Sequence, residues 1–438
     1  MKTKERETFS SKLGFVLACV GSAVGMGNIW LFPYRVGQYG GAAFLIPYLL
    51  FIILIGVAGV SGEMAFGRAM NAGPIGAFKK ATLRRGSKVG EAIGMIPTLG
   101  SLALAIGYSV VVGWIIKFLV GSITGEVSRS EAASYFGSIC GDFGSLPWHM
   151  IGLAVVFTLM ILGITNGIEK INKVVMPLFF LLFLVLAVRV GFLNNASSGY
   201  EYLLKPDFSK LLSIKTWVYA LGQAFFSLSL AGSGTLVYGS YLKKSENVII
   251  CARNVAIFDT IAAMLAAFVI IPSVFAFGLD PAAGPALMFI TMPKVFSLMP
   301  MGSVFMVLFF TAVLFAAITS LINLFEAPVE AIQTKFKLSR TVSVCIIAVI
   351  AVVVGVMIEN GDTVSNWMDV VSIYIIPLGA LLSAIMFFWV CGDGFARKHV
   401  QMGIDKELGK WFEPLTKYVF VGLTAVVYVL GIFYGGIG

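Results

Sequence analysis

The sequence predicts an all-α polytopic membrane protein, and three observations carry that expectation. Of 438 residues, 58% are hydrophobic and only 12% charged, against about 25% charged in soluble domains. Apolar stretches such as 178–190 with its flanks, and 261–277, reach the ~20 residues that a helix needs to cross hydrocarbon. The alternating pattern of short β-barrel strands is absent, so backbone groups in lipid have to be satisfied inside helices.

Taken in order, the apolar runs give eleven spans, near 12–36, 42–67, 91–121, 149–167, 171–193, 217–240, 250–278, 303–333, 341–358, 366–391 and 416–436. A polar tail, 1–11, leads directly into the first span, with no cleavable leader expected. If the N-terminus is cytoplasmic, only Arg35, Lys117, Arg129, Arg189, Lys205, Lys210, Lys215 and Lys294 of the 31 Lys and Arg fall on outside ends. The densest basic cluster, Lys79, Lys80, Arg84, Arg85 and Lys88, lies between the second and third spans. This bias obeys the positive-inside rule. It predicts a multi-pass protein of the inner (plasma) membrane with a cytoplasmic N-terminus and an extracellular C-terminus.

The net charge of +9 then describes a face lying beside anionic lipid rather than a nucleic-acid site. Cys19, Cys140, Cys251, Cys345 and Cys391 are scattered, and only Cys140 is expected outside, so no disulfide framework is predicted. An enzyme would need a nucleophile–base pair or a metal cluster. The chain has two histidines, His149 and His399, and neither His-Glu-x-x-His nor Gly-x-Ser-x-Gly. A channel or a receptor is a further class that composition leaves open.

Two spans carry residues that a continuous membrane helix would avoid. The first holds Gly21-Ser-Ala-Val-Gly25-Met-Gly27-Asn28 at mid-depth, and the sixth holds Ser227-Leu-Ser229-Leu-Ala-Gly232-Ser233-Gly234-Thr235. Glycine costs about 1 kcal/mol per residue in a helix interior relative to alanine. Free backbone at this depth is tolerated only inside protein or against a cavity. Interruptions at corresponding positions of two halves point to a transport site between inverted repeats. The candidate repeats are 12–193 (spans 1–5) and 217–391 (spans 6–10), with 416–436 outside them, all within one domain, 1–438. By itself, Gly21-xxx-Gly25 also describes a small-residue packing face.

The first two spans, Gly21-Ser-Ala-Val-Gly-Met-Gly-Asn-Ile-Trp-Leu-Phe-Pro33, Gly40-Gly-Ala-Ala-Phe-Leu-Ile-Pro-Tyr48, Gly62-Glu63 and Gly67-Arg68, resemble the neurotransmitter:sodium symporters. Lys205-Pro-Asp-Phe208, Gly222-Gln-Ala-Phe-Phe-Ser-Leu-Ser229, Phe289-Ile-Thr-Met-Pro293 and Ile318-Thr-Ser320 follow in family order. The resemblance implies the five-plus-five inverted repeat with unwound first and sixth helices, as in the bacterial leucine transporter. It implies sodium-coupled amino-acid symport by alternating access, with an amino acid, sodium ions and the lipid bilayer as partners and no enzymatic activity.

The resemblance also implies site residues. One sodium ion would take the carbonyls of Gly21, Val24 and Ala316 with the hydroxyls of Thr319 and Ser320. The other would take the Ala23 carbonyl, Asn28, Ser227, Asp259 and the substrate carboxylate. A hard cation suits such oxygen sets, although Thr319 and Ser320 also fit ordinary back-bonding to a helical carbonyl. The substrate would lie against Ala23, Gly25, Gly27 and Tyr108 under Phe226, with Leu104, Ser229, Gly232, Ser320 and Leu324 around its side chain. From pattern alone Tyr108 and Phe226 equally fit packing aromatics. Gates would use Arg6, Tyr241, Glu326 and Asp369.

The chain departs from the family pattern at several positions. Leu31 stands at a usually basic position, which leaves Asp369 without its usual partner. Thr334 stands where an acidic gate residue is usual, with Glu326 and Glu330 nearby. Gly232 replaces a frequent phenylalanine, which predicts room for large apolar or aromatic substrates. Gly25 stands where monoamine carriers have aspartate, so the substrate brings its own carboxylate. Asp259 replaces a frequent asparagine, and Ala263 replaces the serine of chloride-dependent members, which together predict chloride independence.

Overall fold

The computed structural model describes residues 7–230, 233–282, 287–405 and 407–437, and these are helical with no strand. Arg6 and Gly232 lie outside the described residues. Helix α1 (Lys12–Ala23) starts at Ser11, whose hydroxyl accepts the Gly14 amide. This satisfies one of the first-turn donors that a helix leaves open. After Ala23, Val24 turns extended (ψ 106°), and the chain resumes as α2 (Gly27–Gln38), bent by 52° from α1. The break expected in the first span is therefore present.

The remaining long elements are α3 (Ala42–Met70), the short α4 (Pro74–Leu83), α5 (Gly90–Thr124), α6 (Leu146–Ile161) and α7 (Ile164–Gly191). They are followed by α8 (Ile214–Ser227), α9 (Gly234–Ser240), α10 (Val248–Ala276) and α11 (Leu287–Ser297). Last come α12 (Gly302–Phe336), α13 (Arg340–Met357), α14 (Gly361–Val390) and α15 (Phe412–Tyr434). The sixth span is broken between α8 and α9, where Ser229 (φ 53°) and Ser233 (φ 56°) take left-handed backbone. Such conformations are uncommon outside glycine.

Among the described residues, eight helices are long and apolar enough to cross a membrane, and the bent pair α1–α2 makes a ninth candidate. Helix α6 has 16 residues and is shorter than that requirement. Outward-facing Ile53, Val188, Val349, Val353 and Phe433 are exposed apolar side chains.

One boundary differs from expectation. The fourth and fifth spans, expected at 149–167 and 171–193, divide instead at Gly163 (φ 88°), so 164–169 opens α7. The gap expected between those spans, 168–170, is helical, and the charge of Glu169 within it is satisfied by the fold. Glu169 accepts from Ser10 N (2.7 Å) and Oγ (2.6 Å), Ser11 Oγ (2.8 Å) and Lys173 Nζ (2.6 Å). These bonds also tie the chain ahead of α1 to α7.

Helix α1 is central and packs on α7, α10 and α12. Ser101 Oγ of α5 donates to the Leu324 carbonyl of α12 at 2.7 Å, joining the two longest helices. Gly67 of α3 and Gly239 of α9 approach so closely that a methyl group on either would strike the other helix's main chain. Arg68, nearly buried, donates to the carbonyls of Glu246 (2.6 Å), His399 (2.6 Å) and Met402 (3.2 Å). The Gly67-Arg68 motif thus ties α3 to the turn before α10 and to the segment before α15. Asp207 of the Lys205-Pro-Asp-Phe208 motif caps the short helix Phe208–Leu211. Hydrogen bonds from the Ser209 hydroxyl and amide hold its carboxyl below the usual range.

Candidate functional site

The two helix breaks meet inside the bundle. From the first, the buried Asn28 donates through Nδ2 to Asp259 Oδ1 of α10 at 2.8 Å, and to the Asp259 carbonyl and Ser227 Oγ at 3.2 Å each. Ser227, last residue of α8, donates to Asp259 Oδ2 at 2.6 Å and accepts from the Tyr48 hydroxyl at 3.3 Å. The Asn28 Oδ1 atom accepts the Gly25 amide at 3.2 Å. Three residues expected around one sodium ion are therefore in direct contact, on three helices. Their oxygens fit a hard cation, which favours carboxylate, amide and hydroxyl donors. The Ala23 carbonyl stands beside them in sequence, where α1 stops.

The second expected sodium centre lies between α1 and α12. A methyl group added at Gly21 would come 3.1 Å from Thr319 Cβ. The Thr319 hydroxyl donates to the carbonyls of Phe315 and Ala316, each at 3.1 Å. This is the back-bonded geometry, and it leaves the oxygen's lone pairs available to a cation. Ser320 Oγ turns to the Ser22 carbonyl at 3.4 Å, and Ser229 Oγ reaches the same carbonyl at 2.9 Å. Val24 is fully buried at the end of α1.

Between the two centres, Tyr108 of α5 accepts the Met26 amide on its hydroxyl at 3.0 Å. A Cβ at Gly25 would stand 3.0 Å from Ser320 Oγ and 3.1 Å from Tyr108 Oη, and one at Gly27 would stand 2.9 Å from the Phe226 ring. Both glycines are thus needed for close approach. Phe226 is half-buried, whereas Leu104 and Leu324 are buried. The arrangement offers amide donors and a phenol at the end of a half-helix, which attract a carboxylate.

Of the gate residues, Tyr241 donates to Glu326 Oε1 at 2.7 Å. The cation facing Glu326 is Arg340 of α13, bidentate at 2.9 and 2.8 Å. Glu330 takes the Thr334 hydroxyl at 2.8 Å. Phe9 packs edge-on against Tyr238 and Tyr241 beneath them. Asp369 is exposed and joins no ion pair among the described residues, and Leu31 is half-buried. At that end, Phe289 of α11 stacks on Phe136 at 4.9 Å and meets Trp30 and Trp114 edge-on.

Several contributors went unmarked by the sequence pattern. Gln223 donates to the Gly27 carbonyl at 3.1 Å and steadies the break in the first span. It sits inside the Gly222-Gln-Ala-Phe-Phe run, which was its only signal. Arg340 had none, since its partner lies on the preceding helix. His149 is fully buried, with Nδ1 2.7 Å from Glu359 Oε2 and Nε2 2.8 Å from the hydroxyl of Ser109, the neighbour of Tyr108. Ser145 donates to the same Glu359 carboxylate at 2.5 Å.

Known proteins share both this sequence and this architecture. The description of the sodium:neurotransmitter symporter family matches residues 6–141 and 130–435. The sodium-dependent transporter YhdH of Bacillus subtilis is 38% identical over 336 residues, which cover 76% of this chain and 74% of that protein. The sodium-dependent transporter MJ1319 of Methanocaldococcus jannaschii is 34% identical over 98% of this chain and 91% of its own length. A mouse protein, the sodium-dependent neutral amino acid transporter SLC6A17, is 28% identical over 62% of this chain and 41% of its own. The crystal structure of MhsT in complex with L-phenylalanine superposes with a TM-score of 0.87 at 31% identity, covering 98% of this chain and all of that one. Relatives of this kind are transporters and not enzymes, and the chain belongs to the sodium:neurotransmitter symporter family.

Proposed function

We propose that the protein is a sodium-coupled amino-acid symporter that works by alternating access, takes large apolar or aromatic amino acids, and needs no chloride. The observation that carries this reading is the meeting of two broken helices around Asn28, Ser227 and Asp259 on one side and Ser22, Ser229 and Ser320 on the other. Gly25 leaves the carboxylate to be supplied by the substrate. That carboxylate takes the Tyr108 hydroxyl and the amides near Gly27, and it completes the sodium shell of Ala23, Asn28, Ser227 and Asp259. Each solute thereby raises the affinity for the other, because each finishes the other's site.

The second sodium ion takes Gly21, Val24, Ala316, Thr319 and Ser320. The substrate side chain lies toward Leu104, Phe226, Ser229, Gly232 and Leu324. Support for an aromatic occupant comes from Gly232 in place of a ring and from the L-phenylalanine that MhsT holds. Chloride independence follows from Asp259, which brings a fixed negative charge to the sodium, and from Ala263, which offers an anion no hydroxyl. In this reading the chain has eleven spans in two inverted repeats, 12–193 and 217–391, with 416–436 outside, and the charge bias supports a cytoplasmic N-terminus and Tyr241–Glu326–Arg340 cluster with the C-terminus outside. Arg6 would join the cytoplasmic closure there. Phe226 closes the outer side over Tyr108.

The test is uptake of labelled phenylalanine, tryptophan, leucine, alanine and glycine into proteoliposomes under an inward sodium gradient, with potassium as the control. Accumulation of the large residues that collapses without sodium is the expected result. Equal uptake in potassium would refute the coupling. Glycine as the preferred substrate would refute the pocket assignment, which Gly232→Phe probes independently by weakening aromatic substrates more than alanine.

A further inference from the structure

Asn172 sits on α7, one turn beyond the polar opening 164–169, and is completely buried. Its Nδ2 donates to the Ile168 carbonyl at 2.8 Å. That bond fixes which way the amide faces, because a carbonyl accepts only from the NH2 end. The Oδ1 end consequently points away from α7, and it has no donor among the described residues. It is aimed at Gly21 of α1. A methyl group on Gly21 would collide with Asn172 Oδ1, and the same methyl would stand 3.1 Å from Thr319 Cβ of α12.

An amide oxygen left unpaired in a protein interior costs roughly 1–3 kcal/mol, so a position that retains one calls for a partner. The surroundings on α7 supply none, since Ile168, Val175 and Met176 are buried and apolar. A water would need several polar partners to be held there. A hard cation needs only oxygens, and the Asn172 oxygen abuts Gly21 where α1 meets Thr319 of α12.

We infer that Asn172 Oδ1 is an additional ligand for the sodium ion held between α1 and α12, contributed from α7. The inference rests on the sodium centre proposed above and adds a third helix to it. A neutral amide oxygen adds coordination without adding charge, which keeps affinity moderate and lets the ion leave. Because α7 is also tied to the segment ahead of α1 through Glu169, a ligand on α7 links occupancy of the sodium site to closure of the N-terminal end.

The experiment is thermal unfolding of the purified full-length protein in detergent, titrated with sodium chloride against choline chloride at constant ionic strength. Wild type, Asn172→Ala, Asn172→Asp and the double variant Thr319→Ala with Ser320→Ala are compared. Asn172→Ala should raise the half-saturating sodium concentration at least fivefold while its melting temperature in choline stays near wild type. Asn172→Asp, which keeps an oxygen, should restore tight sodium dependence. If the Thr319–Ser320 variant weakens the sodium response but Asn172→Ala keeps it unchanged, the centre stands and the Asn172 ligand is refuted. If the Thr319–Ser320 variant responds like wild type, the sodium centre itself is refuted. A variant with a low melting temperature in choline is judged by its half-saturating sodium concentration, which a purely structural role would leave unaltered.

Discussion

Asn28 and Asp259, 231 residues apart, are joined by a 2.8 Å hydrogen bond at the point where the first helix is broken. Both Asp259 oxygens are engaged, one by Asn28 and the other by Ser227. A carboxylate at this depth needs such partners, since an unpaired buried charge is very costly. In the proposed sodium site the same carboxylate would supply the compensating charge.

Exchange of chloride for gluconate is therefore expected to leave sodium-driven uptake unchanged. Asp259→Asn removes the fixed charge and is expected to impair uptake. When combined with Ala263→Ser, it should acquire chloride dependence. A large fall in wild-type uptake in gluconate would contradict the assignment.

Gly25 borders the proposed substrate pocket, with Ser320 Oγ and Tyr108 Oη at 3.0 and 3.1 Å from an added Cβ. Gly25→Ala should weaken substrate binding by about tenfold, or ~1.4 kcal/mol. Gly25→Asp should abolish it, because the new carboxylate repels that of the substrate. Equilibrium binding of labelled amino acid in detergent measures both.

Arg340 and Glu326 form a buried bidentate pair. Arg340→Ala leaves Glu326 uncompensated and should lower stability by about 3–5 kcal/mol, with the N-terminal end left open. Glu326→Gln keeps an acceptor for Tyr241 and should be milder. Asp369→Asn should leave uptake near wild type, as Asp369 joins no ion pair among the described residues. Denaturation in detergent, uptake, and labelling of a cysteine introduced below Tyr241 distinguish the three.

His149 and Glu359 connect α6 to the link between α13 and α14, and through Ser109 to the helix that carries Tyr108. Glu359→Ala should cost about 1–3 kcal/mol for each polar group left unpaired. It should also weaken substrate binding by releasing Ser109. Unfolding midpoints, together with binding at saturating sodium, report the two effects separately.

Much of this protein was legible in its sequence because the relevant physics is local. Lipid exposure is a property of composition over about 20 residues, so the long helices could be read directly. The glycines around Gly25 and the serines around Ser229 break helices through their own backbone preferences, so both interruptions could be located without knowing what they face. The resemblance carried by Asn28, Ser227 and Thr319 supplied the expected grouping of ligands. What only the tertiary structure decided were the pairings across helices. Arg340 meets Glu326, His149 meets Glu359, and Asn172 turns its oxygen toward Gly21. These depend on the rotation and depth at which helices pack, which no window of neighbouring residues encodes. The boundary at Gly163 belongs to the same class, for Glu169 reads as a loop residue until Ser10 and Ser11 arrive from the segment ahead of α1 and Lys173 joins them from one turn along α7.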